Sequence, residues 1–296
     1  MAATLRRPLA STPWRRIEGV SYLWFAVVAL WTLLQVVPLL VIVYSSFRQS
    51  NAIISQPFGI GHYALGNYPL AWTGTLGGTA FTVYLRNSLT ITAVAIVLGV
   101  SSGTLSAYGL SKSAGTKWAR VLYGLFVLTI AMPYEIIVIP LYLLLNRFGL
   151  LNSDLGAGFA YAGLVIPFTA VIMKGFFDGF PSDLIEAARI DGANELRIFW
   201  RIVIPLVKGG VIAVIIISIV YVWGDVELGI IILTLPTRLP LAVGMLNFAA
   251  QYETNNGALF AGLTMAIVPV VSLYLIFQRY VTRSLTLGAV PVARPV

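Results

Sequence analysis

Residues 174–206 read KGFFDGFPSDLIEAARIDGANELRIFWRIVIPL, a hydrophilic island between two apolar runs. Pro181-Ser182-Asp183 signals a helix start. Ser182 is placed to cap it, and Asp183 and Glu186 complement the positive end of the helix dipole. Leu184, Ala187, Ala188 and Asp191 then fall at i, i+3, i+4 and i+7, on one face. Gly192 supplies a residue that accepts positive φ and ends the helix. Asn194 caps a second short helix over 195–204, which Pro205 stops. The expectation is a helix–turn–helix whose Ala187-Ala188 face lets a partner backbone come close. Lys174, Arg189, Arg197, Arg201 and Lys208 are balanced by Asp178, Asp183, Glu186, Asp191 and Glu195. A helix lying on headgroups carries an excess of Lys and Arg, so this balance favours a protein partner over lipid.

Outward from this island the chain is apolar. Of its 296 residues 58% are hydrophobic and 10% charged, with a mean hydropathy of +0.89. Soluble domains carry roughly a quarter charged residues, so a soluble globular protein is excluded. Apolar runs at 22–47, 89–110, 121–145, 155–176, 211–235 and 258–277 are each long enough for a bilayer core, which takes about 20 helical residues. The first run is too long for the core of a secretory signal and is read as a retained span. The chain is therefore expected to be an all-α polytopic membrane protein with six transmembrane helices.

Charge orients it. Fifteen of the 19 Lys and Arg fall in segments that alternate onto one side, leaving Arg48, Arg86, Arg147 and Arg238 on the other. This positive-inside bias predicts both termini inside. The net charge of +8 is thus a topology signal and no footprint of nucleic acid. With no cysteine and one histidine, His62 in an external loop, the chain offers no thiolate metal site and no catalytic triad. Neither catalytic nor metal-ligating residues are assigned. No phosphate-cradling G-x-x-x-x-G-K-[ST] loop is present.

The string from Glu186 to Ala193, followed by Phe199, Ile202 and Pro205-Leu206, resembles the EAA signature of permease subunits of binding-protein-dependent ABC importers. Asn87-Ser88-Leu89, Ala107-Tyr108, Ile139-Pro140-Leu141-Tyr142, Gln278-Arg279-Tyr280 and Gly288-Ala289-Val290 resemble the sugar branch of that family, the MalG-like permeases. The resemblance implies a type I importer permease. An N-terminal tail, first helix and external loop would occupy 1–80, the core permease 81–280 with its coupling loop at 177–206, and a cytoplasmic tail 281–296. It implies half of a heterodimeric pore in a prokaryotic plasma membrane. A second permease would lie beside the chain, two ATPase domains below it and a solute-binding protein outside. ATP and Mg would sit on the partner ATPase, and this chain would hold no cofactor. By position, Glu186, Ala187, Ala188, Asp191 and Gly192 would contact the ATPase. The loop 236–257 would dock the binding protein, with Gln251, Tyr252 and Glu253 as candidates.

Glu135, Asp225 and Glu227 lie in or near apolar runs. A carboxylate at the bilayer centre costs about 2.5–3.5 kcal/mol on insertion scales, so each is expected to face protein or water. They could wall a polar path, with Tyr221 and Trp223 stacking on sugar faces, or bond between helices or to the partner permease. Two departures from the family stand out. Lys208-Gly209-Gly210 replaces a common proline, and Trp223-Gly224-Asp225 replaces Trp-Asn-Glu. The alternative reading is an ion- or proton-coupled transporter using Glu135, Asp225 or Glu227, although the repeated halves such folds show are not evident.

Overall fold

The computed structural model describes residues 18–74, 79–251 and 255–288. Among them the chain is helical, in the order α1 (Glu18–Ser46), α2 (Ser50–Ser55), α3 (Asn67–Thr73), α4 (Phe81–Lys112), α5 (Lys117–Ala131), α6 (Glu135–Arg147) and α7 (Asp154–Asp178). There follow α8 (Ser182–Ile190), α9 (Glu195–Ile198), a π-helical turn (Phe199–Val203), α10 (Ile204–Leu206), α11 (Lys208–Gly224) and α12 (Glu227–Ile232). A 3-10 turn (Pro236–Arg238), α13 (Leu241–Gln251) and α14 (Asn256–Gly288) complete it. Among the described residues four helices are long and apolar enough to cross a membrane, or up to six spans if each of two bent pairs counts as one.

The centre is the pairing of α4 with α7. A Cβ on Gly103 would lie 2.5 Å from the Thr169 Cβ, and one on Gly158 would lie 2.6 Å from the Val94 Cβ. Only glycine lets the two backbones approach so closely, the usual basis of helix association in lipid. Tyr84, Ile91, Ala95, Tyr161, Val165 and Met173 fill the seam. At the periphery α1 exposes Trp24, Leu30 and Leu40 and packs along α14, as a helix meeting lipid can.

Two of the expected runs are not single helices. The third breaks at Pro133, and α5 and α6 meet at 104°. Proline donates no hydrogen bond and drives its predecessor out of helical geometry; Met132 is accordingly extended, at φ −77° and ψ 138°. The fifth run ends at Gly224, where Asp225 turns extended and its carboxylate accepts from the Leu228 N–H in the first turn of the separate short helix α12. Nor is the second coupling helix continuous over 195–204. It passes through the π turn and carries Pro205 in the first turn of α10, where a missing N–H is tolerated, before α11 departs at 77°.

The outer side is stitched together by side chains. Asn87 Nδ2 donates to the Thr237 and Leu239 carbonyls at 3.0 and 3.1 Å, and Ser88 Oγ accepts from the Leu241 N–H at 2.6 Å. Asn152 Oδ1 accepts from the backbone N–H groups of Thr234 and Leu235. Arg48, expected as an external charge, is fully buried, donating to the Gln56 and Pro57 carbonyls. The boundary at residue 80 falls just before α4, whereas residue 281 falls inside α14 rather than at its end.

Candidate functional site

The coupling loop folds much as its residues dictate. Gly192 has φ +78°, and Asn194 accepts from the Arg197 N–H at 2.9 Å to cap α9. The start differs: Pro181, not Ser182, occupies the capping position, and no side chain caps α8. The inward face differs too. Ala188, 8% exposed, joins Ile185 against the spans, while Leu184, Glu186, Ala187, Asp191 and Gly192 are exposed. The small-residue face is therefore divided: Ala188 packs within the chain and Ala187 stays outside. Ile190, 87% exposed, projects beside them.

What braces this loop was not evident from its own sequence. Phe199 packs on Tyr108 of α4 at 4.9 Å between ring centroids, and Tyr108 meets Phe177 of α7 edge-on at 5.6 Å. Glu195 pairs with Arg189 at 3.0 Å and, through its other oxygen, with Lys112 at the end of α4. The Tyr108 hydroxyl points at that same oxygen, at 3.5 Å. One carboxylate thus ties α8 and α9 to the end of α4.

The second candidate site lies where both helix breaks converge. Tyr134, in the break between α5 and α6, donates toward Glu227 Oε2 at 2.6 Å, with Asp225 Oδ1 at 3.2 Å. The Tyr161 hydroxyl of α7 donates to Asp225 Oδ2 at 2.7 Å. Tyr161 is seven residues into α7, about 10 Å from its outer end. Beside the cluster a cavity of about 430 Å³ opens between the end of α5, the middle of α7 and α11. Tyr134, Glu135, Tyr221, Thr129 and Ser218 supply its polar lining. Ser218 is buried and its hydroxyl has no hydrogen-bond partner among the described residues, an arrangement that costs about 1–3 kcal/mol.

Of the five residues expected on a path, Glu135 and Tyr221 line this cavity, and Asp225 and Glu227 reach it through Tyr134. Trp223 does not join them. It is buried and faces a groove shared with α13 and α14, because α11 puts residues 221 and 223 on different sides. Tyr134 and Tyr161 went unnoticed in the sequence; a tyrosine between Pro133 and Glu135 in an apolar run was the available signal.

The expected external loop 236–257 is largely α13, whose Leu241, Val243, Met245 and Phe248 are buried. Gln251 ends that helix, and Tyr252 and Glu253 lie outside the described residues. No group of three or more acidic or histidine side chains able to hold a metal occurs among the described residues.

The pattern of a family described as the binding-protein-dependent transport system inner membrane component matches residues 95–287. The diacetylchitobiose uptake system permease protein NgcG of Streptomyces coelicolor is 32% identical, over 96% of this chain and 92% of that protein. The multiple sugar-binding transport system permease protein MsmG of Streptococcus mutans is 28% identical, over 93% and 99%. The melibiose/raffinose/stachyose import permease protein MelC of Bacillus subtilis is 30% identical, over 86% and 91%. A solved chain from a bacterial ABC transporter involved in importing the acidic polysaccharide alginate shares the fold at a TM-score of 0.76, 22% identity and coverage of 93% and 99%.

Proposed function

Because the chain belongs to the binding-protein-dependent transport system inner membrane component family, we propose that it is a permease subunit of an ATP-driven importer of di- or oligosaccharides. The observation that carries the sugar reading is that relatives along almost its whole length are permeases of sugar uptake systems. These likenesses give no support to an ion- or proton-coupled transporter. The chain is no enzyme on this reading. ATP and Mg are held and hydrolysed by a partner subunit, in keeping with the absence of a phosphate-binding loop.

The subunit forms half of a pore beside a second permease in a prokaryotic plasma membrane, above two ATPase domains and below a solute-binding protein. Glu186, Ala187, Asp191 and Gly192 form the exposed tip that enters the ATPase, and Ala188 seats the tip on the spans. A rigid element with two positions is what transmits such a stroke. The cavity by Tyr134, Glu135 and Tyr221, with Asp225 and Glu227 behind it, is this subunit's part of the solute path. The segment at Gln251, Tyr252 and Glu253 meets the binding protein.

The test is reconstitution with the partner permease, ATPase and binding protein in vesicles. Sugar-stimulated ATP hydrolysis and uptake are expected. Uptake that persists without ATP and collapses with the proton gradient would sink the proposal.

A further inference from the structure

The charge of the cavity limits what can pass it. Of the 13 described residues that line it none is Lys or Arg, and Glu135 is in its wall. Asp225 and Glu227 stand directly behind Tyr134, whose single hydroxyl hydrogen serves two carboxylates at once. Three acidic side chains thus converge with no described basic group paired to them; the described ion pairs gather at the coupling loop, along α7 and at Arg238–Asp154. The remaining polar groups are the neutral hydroxyls of Thr129, Tyr134, Ser218 and Tyr221. Carboxylates accept hydrogen bonds from sugar hydroxyls and N–H groups but repel a sugar carboxylate or phosphate, and low-dielectric walls strengthen that repulsion.

We propose that this cavity is an anion-excluding glycan subsite, which admits uncharged or amino-bearing oligosaccharides and turns away uronates and sugar phosphates. The inference rests on the cavity being part of the solute path. It adds a selection step made by the permease itself, separate from whatever the binding protein selects. Glu135 is the group that meets the solute.

The chain contains no cysteine, so a single introduced thiol reports on the cavity alone. Ile217→Cys and Thr129→Cys place such a thiol in its lining. In the assembled importer in detergent, without binding protein, each is exposed to a cationic methanethiosulfonate (ethyltrimethylammonium) and an anionic one (ethylsulfonate). Labelling rates are read from the mass of this chain and divided by those for free 2-mercaptoethanol. The expected result is a preference of roughly tenfold or more for the cation, reduced at least about threefold by adding Glu135→Gln. Equal rates, or a preference for the anion, overturn the charge selection and leave the path reading standing. If neither reagent labels either position, with or without ATP, the cavity is closed to solutes and both readings fall. Thr129→Cys carries the test if Ile217→Cys does not assemble.

Discussion

Glu195 holds Arg189 across the turn between α8 and α9 at 3.0 Å, so the two short helices of the coupling loop are fastened to each other by one carboxylate. Its second oxygen reaches Lys112, so the same residue joins the Phe199–Tyr108 ring contact in linking that loop to the longest helix of the central pair. The arrangement turns a flexible connection into a lever with a fixed angle.

Glu195→Gln should therefore uncouple more than it unfolds. Its carboxylate is about half exposed, and exposed ion pairs contribute only about 0.2–1 kcal/mol to stability. Coupling along such a link is expected to weaken by about 0.5–2 kcal/mol, roughly 2- to 30-fold in sugar taken up per ATP hydrolysed. Lys112→Gln should cost less, since it breaks only one of the two ion pairs of Glu195, and the double variant should be no worse than Glu195→Gln alone. Parallel measurement of uptake, ATP hydrolysis and thermal unfolding checks this; additive losses would mean the two residues act separately.

Gly192 tests the bend itself. With φ at +78° and open space around a new Cβ, the only cost of a side chain here is backbone strain. A β-branched residue in that region costs about 1–3 kcal/mol, whereas asparagine tolerates it. Gly192→Val should lower recovery of the ATPase on co-purification and abolish sugar-stimulated hydrolysis, and Gly192→Asn should keep most of both. Equal behaviour of the two would remove the bend from the mechanism.

Tyr134→Phe removes the hydroxyl shared by Asp225 and Glu227. Hydrogen bonds to charged groups contribute about 1.5–3 kcal/mol, so a fall in thermal stability of the solubilised chain is expected. Asp225 keeps Tyr161, and the double change with Tyr161→Phe should cost more than the sum of the singles because it leaves Asp225 only the Leu228 N–H. A double-mutant cycle on unfolding temperature measures that excess.

Gly103→Val forces a methyl-bearing side chain against Thr169 where even a Cβ would lie 2.5 Å away. Overpacking costs about 1–3 kcal/mol, so the yield of folded chain in the membrane should drop sharply. Gly163→Ala on the same pair of helices meets nothing within 4 Å and should be neutral in the same assay.

The spans, the capping Asn194 and the left-handed Gly192 were legible because each depends on neighbours a few residues away. The residues that close the structure were not. Tyr134 finds Glu227 across 93 positions and Asn87 finds Leu239 across 152, and no local period encodes such pairings. Pro133 was visible as an interruption, but proline within a span is often accommodated by a mild kink, so a turn of 104° lay beyond the residue type. Trp223 shows the same limit. Its polar aromatic character suited a sugar path, yet helix phase sent it to the other side of α11. Within the coupling loop, apolar spacing fixed that one face turns inward. The choice of Ile185 over Leu184 came from the spans beneath it.

The sharp break between α5 and α6 has a consequence for the life of the chain in a cell. Backbone that leaves helical geometry at membrane depth is tolerated only against protein or water, and here Met132, Pro133 and Glu135 are exposed at the break. In the proposed pore a neighbouring subunit would cover those groups, whereas a copy inserted alone would leave them facing hydrocarbon. On that reading the break is the place where this chain depends most on a companion.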